Sequence, residues 1–413
     1  MSRELYVGVM SGTSLDGVDV ALVAIEHEAS DAQPVSVSLQ AHYDHPMPDE
    51  LKHALLEVCL GQATNLRQIG ELDHRLGHLF ADAVNALLRQ KGISPQDVTA
   101  IGNHGQTVYH HPESEYPFTT QLGDANIIAA KTGITTVADF RRKDMALGGQ
   151  GAPLVPAFHR ILFAQANSTT VVLNIGGIAN ISVLPPSRTV AGMAGAVGGS
   201  GQNARVDSKA EAITGVHSGK VVGYDTGPGN MLMDAWIYQQ QGDKYDRDGA
   251  YARSGCCHAT LLAQLLSDPY LTQTYPKSTG REHYNLPWLN EQLALVAVAT
   301  GERLAPEDVQ ATLLEFTART IADQVHTFKF GPSPRLLVCG GGANNPALMA
   351  RLSALLPEWL VGNTRDEGVD ADYMEAMAFA WLARQRIHNQ PSNVPEVTGA
   401  SRPASLGVIY PAD

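Results

Sequence analysis

The feature that most constrains this chain is a glycine-centred hairpin that occurs twice. Residues 7–23 read Val-Gly-Val-Met-Ser-Gly-Thr-Ser-Leu-Asp-Gly-Val-Asp-Val-Ala-Leu-Val. An apolar lead-in enters a run of Ser, Gly, Thr and Asp, and alternating apolar residues lead out. That pattern is strand, tight turn, strand. Residues 168–184 repeat it: an apolar strand runs into Asn174, Ile175, Gly176 and Gly177, and an alternating strand leaves through Asn180. Glycines in such turns let backbone approach a ligand closely, and successive N–H groups form an anion-binding nest. Ser11, Thr13 and Ser14 add hydroxyl donors. One such turn is equally an ordinary hairpin. Two, each opening one half of the chain, suggest a duplicated fold with a phosphate loop from each half.

Length and charge set the bounds. A chain of 413 residues suggests two domains or one very large one, and 44% apolar with 17% charged residues is the composition of a globular enzyme. The net charge of -13 argues against a nucleic-acid partner, while a local nest still suits an anionic small molecule. There is no basic segment followed by an apolar leader, and no apolar run of bilayer length, so a cytoplasmic protein with no membrane partner is expected. Cys59, Cys256, Cys257 and Cys339 suit neither a disulfide framework nor a metal knuckle and read as reduced thiols, Cys339 in a buried strand.

Along the chain, residues 35–42 read as a third strand, and 49–59 and 66–89 as helices, the second with a helical apolar stripe. Residues 98–102 read as a short strand ending in Asn103-His104-Gly105-Gln106-Thr107. Polar groups after the carboxyl end of a strand are where α/β sheets bind ligands, so His104 and Gln106 are site candidates; the alternative is a plain turn. Residues 121–131 read as a helix. The strand 135–138 ends at Asp139, with Arg141 and Arg142 placed to hold a carboxylate bidentately or to form a solvated loop. The Gly/Pro-dense stretch 147–156 reads as the crossover between domains. Residues 185–220, rich in Gly, Ala and Ser without a period, read as a surface insertion.

The sharpest catalytic candidate follows the strand read at 221–224. Asp225, Thr226, Gly227, Pro228, Gly229 and Asn230 put a carboxylate beside two glycines and a helix start, which offers phosphate-binding N–H groups next to a general base; an Asx-turn is the bland alternative. Residues 306–329 read as a long helix and 335–339 as a buried strand. Gly340, Gly341 and Gly342 then precede a helix opened by Pro346, a place where a ring or ribose can lie against backbone; the alternative is close helix–strand packing alone. Glu375 stands early in a small-residue helix, 373–382, and faces either solvent or a cleft.

The paired hairpins are similar in design to those of the sugar kinase, actin and heat-shock ATPase superfamily. The combined motifs resemble more closely the anhydro-N-acetylmuramic acid kinase family: residues 8–19, Asn103 to Thr107, Asp139-Phe140-Arg141, 148–154, Asn174 to Asn180, Asp225 to Asn230 and Glu375 to Phe379. The resemblance spans nearly the whole chain. It implies an α/β, two-lobed, duplicated actin-like ATPase (ribonuclease H-like) fold with a ligand cleft between lobes. It implies a homodimer that uses ATP and Mg2+ to convert 1,6-anhydro-N-acetylmuramic acid to N-acetylmuramic acid 6-phosphate in cell-wall recycling, opening the anhydro ring with water. Gly12, Thr13, Ser14, Leu15, Asp16, Gly17, Val18 and Asp19 match the family's ATP-binding segment. Gly176, Gly177, Asn180 and Gly340 to Gly342 are expected to complete the nucleotide site. Asp225 matches the catalytic base, and Glu375 is expected to orient water or a sugar hydroxyl. His104, Gln106, Arg141, Asp225, Thr226 and Glu375 are the expected sugar contacts, Arg141 on the lactyl carboxylate. Many superfamily members carry an Asp at the start of the first turn, where this chain has Val9 and Met10, so Asp16 or Asp19 is expected to order magnesium through bound water. Expected domains are 1–150 with the tail 394–413, and 151–393. The alternatives are a plain hydroxyl-directed sugar kinase and a non-catalytic nucleotide-switched binding protein.

Overall fold

A computed structural model describes residues 2–12, 15, 17–27, 36–187, 220–275, 277–281 and 283–413. The chain opens with the meander β1 (Ser2–Ser11), β2 (Gly17–His27) and β3 (Ser36–Pro46), all antiparallel. Helices α1 (Asp49–Cys59) and α2 (Leu66–Lys91) follow. Asn65 starts α2 with a capping box to Gln68, and Gly92 ends it in the left-handed region. Then come β4 (Val98–His111), β5 (Phe118–Leu122), α3 (Ala125–Thr132), β6 (Thr136–Ala138), α4 (Arg142–Ala146) and α5 (Val155–Phe163). A second meander, β7 (Thr170–Ile175), β8 (Ile178–Leu184) and β9 (Val222–Pro228), opens the next unit. Its helices are α6 (Met231–Gln241), α7 (Ala250–Ser254), α8 (Ala259–Leu266), α9 (Leu286–Thr300), α10 (Pro306–His326) and α11 (Pro346–Leu355), with β10 (Arg335–Cys339) and β11 (Leu360–Asn363). The chain closes with α12 (Met374–Ile387), α13 (Pro395–Thr398) and β12 (Val408–Tyr410).

The two sheets repeat one topology. The first runs β12-β6-β4-β1-β2-β3 and the second β11-β10-β7-β8-β9. In each, a meander is joined by a strand parallel to its first member, β4 on β1 and β10 on β7, and then by a further parallel strand, β6 or β11. This is the duplicated actin-like ATPase, ribonuclease H-like fold. The first core lies between sheet and helices around Val7, Val20, Phe80, Val84 and Ile101, and the second around Val171, Leu173, Phe316, Ile321 and Leu336. Among the described residues no helix is long and apolar enough to cross a membrane. All four cysteines are free, and Cys339 is buried in β10.

Several expectations change. The chain divides into Met1–Leu162 with Gly368–Asp413, and Phe163–Glu367, so the expected limits at 150 and 393 both move. The reason at the second limit is α12, which packs on β1, β4 and β2. β4 does not stop at Gly102. It runs to His111 because its pairing passes from β1 to β5 at Gln106. Its polar residues are bonded inside the sheet: Asn103 accepts from Gly105 N and donates to Gly123 O. Gln121 and Leu122, expected to open a helix, instead end strand β5, and α3 begins only after its cap, Asp124. β9 continues past Asp225, which is therefore inside a strand. Of the stretch read as an insertion, 188–219 lies outside the described residues.

Candidate functional site

In the first unit, Ser11 ends β1. It donates to Gln106 Oε1 at 2.6 Å and to Gly17 O at 3.3 Å. Its hydroxyl is therefore engaged in bracing the hairpin on β4. Gln106 is correspondingly buried, its amide also donating to Thr107 O. Leu15 sits at φ +56 with its side chain buried, and Leu15 N donates to Gly12 O at 3.3 Å. Gly17, Val18 and Asp19 begin β2, Val18 in the core. Thr13, Ser14 and Asp16 lie outside the described residues.

His104 and Arg141 meet. Arg141 Nε and its Nη2 lie 3.1 and 2.9 Å from His104 Nε2, and Nη1 donates to Gly151 O at 2.8 Å. Burial, and then the Arg141 charge, hold the His104 imidazole well below its ordinary value. A neutral ring that accepts through Nε2 carries its proton on Nδ1. Arg141 has five N–H donors in a planar fork, and these contacts leave donors for an anion. Arg142 turns away to Asp139 at 2.7 Å.

Glu375 is placed by close packing of α12. A Cβ added at Gly8 would fall on the carbonyl of Ala376, and one at Gly102 on the carbonyl of Phe379. Only glycine lets the helix lie this near the strands. The first turn of α12 then brings Glu375 within electrostatic reach of Arg141 and Asp19. Glu375 keeps an exposed edge, yet desolvation raises its carboxyl, with Arg141 opposing. At Asp19, burial and then Asp44, Glu375 and Asp372 push the carboxyl up to about 6. Asp19 pairs with Asp44 across β2 and β3, and Asp44 Oδ2 accepts the Tyr373 hydroxyl at 3.0 Å. Among the described residues no three His, Cys, Asp or Glu side chains converge to hold a metal. One carboxylate acting through water suits magnesium, which keeps several of its waters and takes phosphate oxygens.

In the second unit the register sets Asn174, Asn180 and Asp225 side by side across β7, β8 and β9. Asp225 Oδ2 accepts from Ser278 Oγ at 2.8 Å and Thr279 N at 3.0 Å. Its backbone is fixed too: N donates to Lys277 O at 3.3 Å, and the Tyr270 hydroxyl donates to its carbonyl at 2.7 Å. No local sequence pattern links these partners to Asp225; the adjacent hydroxyl residues Ser278 and Thr279 are the one signal in their segment. Thr226 is fully buried and donates to Ala179 O at 3.2 Å, so it braces β9 on β8. The helix start after Asp225 also differs from expectation. The N–H groups of Gly229, Asn230 and Met231 are bonded to the carbonyls of Gly176 and Gly177, so they wire α6 to the hairpin rather than waiting for phosphate. Beside them, Gly341, Asn230, Asp234, Asp246, Arg247 and Asn344 line a concavity of about 490 Å³, a size that fits a nucleoside. Gly340 and Gly342 flank Gly341 in the turn after β10.

The chain matches the family model described as anhydro-N-acetylmuramic acid kinase over residues 4–218 and 212–412. It is 58% identical to the anhydro-N-acetylmuramic acid kinase of Vibrio vulnificus strain YJ016, over 99% of each chain. It is 59% identical to that of Vibrio parahaemolyticus over 99% of this chain and 98% of the relative, and 57% identical to that of Vibrio cholerae over 100% and 99%. Among solved structures it is similar to a ROK hexokinase from Thermus thermophilus at 14% identity, covering 93% of this chain and 100% of that one, with a TM-score of 0.35, too slight a likeness to argue from. A whole-chain match and relatives of this identity leave one conclusion: the chain belongs to the anhydro-N-acetylmuramic acid kinase family.

Proposed function

We propose that this protein converts 1,6-anhydro-N-acetylmuramic acid, ATP and water into N-acetylmuramic acid 6-phosphate and ADP during recycling of peptidoglycan. It acts as a homodimer in the cytoplasm, on small molecules only. The observation that carries the chemistry is the fixed carboxylate of Asp225, held at Oδ2 by Ser278 and Thr279. Asp225 takes a proton from water, and the water attacks the anomeric carbon from the face opposite the leaving oxygen. This is the geometry of inverting glycoside hydrolysis, with a carboxylate as base. The leaving oxygen is the sugar's own O6. It attacks the γ-phosphorus and is captured as the phosphate ester, so phosphoryl transfer replaces protonation by a general acid. That transfer depends on positioning and charge neutralisation.

The remaining roles follow from the donors and acceptors each residue offers. Arg141, aimed by neutral His104, binds the lactyl carboxylate. Glu375 accepts from a sugar hydroxyl. The segment from Gly12 to Asp19, with Gly176, Gly177 and Asn180, holds the phosphates, and the concavity beside Gly341 takes adenosine. Asp19 would hold magnesium through its waters, which supplies charge neutralisation at the phosphates. Labelled water tests the reaction. Oxygen-18 should enter C1 of the product and be absent from the phosphate. Label-free product would instead establish a plain hydroxyl kinase.

A further inference from the structure

The Gly/Pro-dense run after Arg141 read as a connector, and the proposed reaction gives it no part. Its contacts give it one. Asp144, in α4, is completely buried. Its Oδ2 accepts from Gly151 N at 2.9 Å, and its Oδ1 accepts from Asn393 Nδ2 at 2.8 Å and Thr398 Oγ1 at 2.9 Å. A buried carboxylate with donors on both oxygens has its plane fixed and fixes its partners in turn. The loop closes directly around it: a Cβ at Gly149 would strike the carboxylate, and Gly151 sits at φ +71, where glycine is at ease.

The far end of the chain holds the same loop. Gln150 N donates to Thr398 O at 2.7 Å, Ser401 N to Leu147 O at 2.8 Å, and Lys143 Nζ to Ser405 O at 2.7 Å. Asn393 is itself oriented by Ala404 N, which donates to its Oδ1 at 2.7 Å. The carbonyl of Gly151, the residue that Asp144 fixes, accepts Nη1 of Arg141. A continuous hydrogen-bonded path therefore runs from Asn393 and Thr398 through Asp144 and Gly151 to the guanidinium.

We propose that Asp144, backed by Asn393 and Thr398, is a positioning residue that sets the aim of Arg141 through Gly151 and so makes the C-terminal segment part of the apparatus that reads the substrate carboxylate. This rests on the reading of Arg141 as the carboxylate contact. His104 anchors one side of the fork and Gly151 the other. Without the second anchor the fork pivots on the first, and binding of an acid weakens while recognition of the rest of the sugar is untouched.

The test compares two sugars, 1,6-anhydro-N-acetylmuramic acid and 1,6-anhydro-N-acetylglucosamine, which lacks the lactyl group. The variants are Asp144→Asn, Thr398→Val and Arg141→Ala, in the full chain. Asp144→Asn should raise KM for the acid roughly tenfold, as expected for one misdirected charge-assisted hydrogen bond, and Thr398→Val by a smaller factor. KM for the second sugar and for ATP should stay near the parent's. In the Arg141→Ala background, Asp144→Asn should add nothing to the lost discrimination, the non-additivity of residues that act as a unit. Equal losses on both sugars would reduce Asp144 to a structural role and overturn the proposal. If Asp144→Asn does not fold, Thr398→Val carries the comparison. Should Arg141→Ala itself still discriminate the sugars, the carboxylate is read elsewhere and both readings fall. If it loses discrimination while the folded Asp144 and Thr398 variants retain it, only the positioning proposal falls.

Discussion

Asp225→Asn isolates charge from shape. Ser278 Oγ and Thr279 N both donate to one carboxylate oxygen, and an amide oxygen can take that place. The local structure should therefore survive, while turnover falls by ~10²–10⁴-fold, the usual effect of removing a general base. Turnover is read by coupled ADP release and ATP binding by calorimetry; near-parental turnover would remove Asp225 from the mechanism. Asp19 is a different case, because its environment opposes its charge. Its folded value of about 6 lies above the ordinary 3.8, so the folded protein holds this proton more tightly than the unfolded chain does. Stability is lost as the pH rises from the ordinary value through the folded one, and above that the loss is complete. Asp19→Asn should raise unfolding stability near pH 7.5 by roughly 1–2 kcal/mol, allowing for solvent screening at a half-buried site, and should change it little near pH 4. Urea midpoints at the two pH values decide. An equal gain at both would mean that packing, not charge, is responsible. Retaining an unfavourable carboxylate at this position is expected only where function uses it.

At the scale of elements, two glycines with the same composition signal have opposite expected effects. Gly70 lies exposed in α2, with nothing within 4 Å of an added Cβ. Gly70→Ala should stabilise by ~0.5–1 kcal/mol through helix propensity. Gly102 lies where β4 meets α12, and a Cβ there falls on the Phe379 carbonyl, which belongs to rigid backbone. Gly102→Ala must lift the helix, costing about 1–3 kcal/mol or more by overpacking. It should also displace Glu375 and lower turnover. Calorimetric melting of both variants tests the contrast, which disappears if α12 can slide without loss. The same contact shows why the sequence was legible in some places and not others. The hairpins, α1, α2 and β10 follow from local patterning, since apolar period and turn chemistry agree there. β4 and β9 carry polar residues inside strands, at His104, Gln106 and Asp225, and their hydrogen bonds come from remote segments: Ser11 for Gln106, and Ser278 and Thr279 for Asp225. No local rule contains those partners, so strands read as loops. The role of Asp144 was hidden for the same reason, its partners standing some 250 positions on at Asn393 and Thr398.

At the scale of the whole molecule, duplication and chain order together predict how its parts fold. The second unit, Phe163–Glu367, is one continuous stretch with its own sheet and core. The first is discontinuous: Met1–Leu162 is completed only by Gly368–Asp413. The completing segment is not peripheral. α12 packs on β1, β4 and β2 with most of its residues buried, and β12 pairs with β6. A chain ending near residue 162 would keep the core around Phe80 and Val84 but leave the strand face under α12 open to water. Burying a leucine-sized side chain is worth ~1.5–3 kcal/mol, and α12 buries Met377, Phe379, Trp381 and Leu382 among others, so its loss approaches the whole stability of a typical domain. A fragment of residues 163–367 should therefore unfold cooperatively in urea. A fragment of residues 1–162 should not, unless residues 368–413 are supplied in trans, when a single transition should appear. Cooperative unfolding of 1–162 alone would show that α12 is dispensable to the first unit, and with it the account of why Gly8 and Gly102 must be glycine.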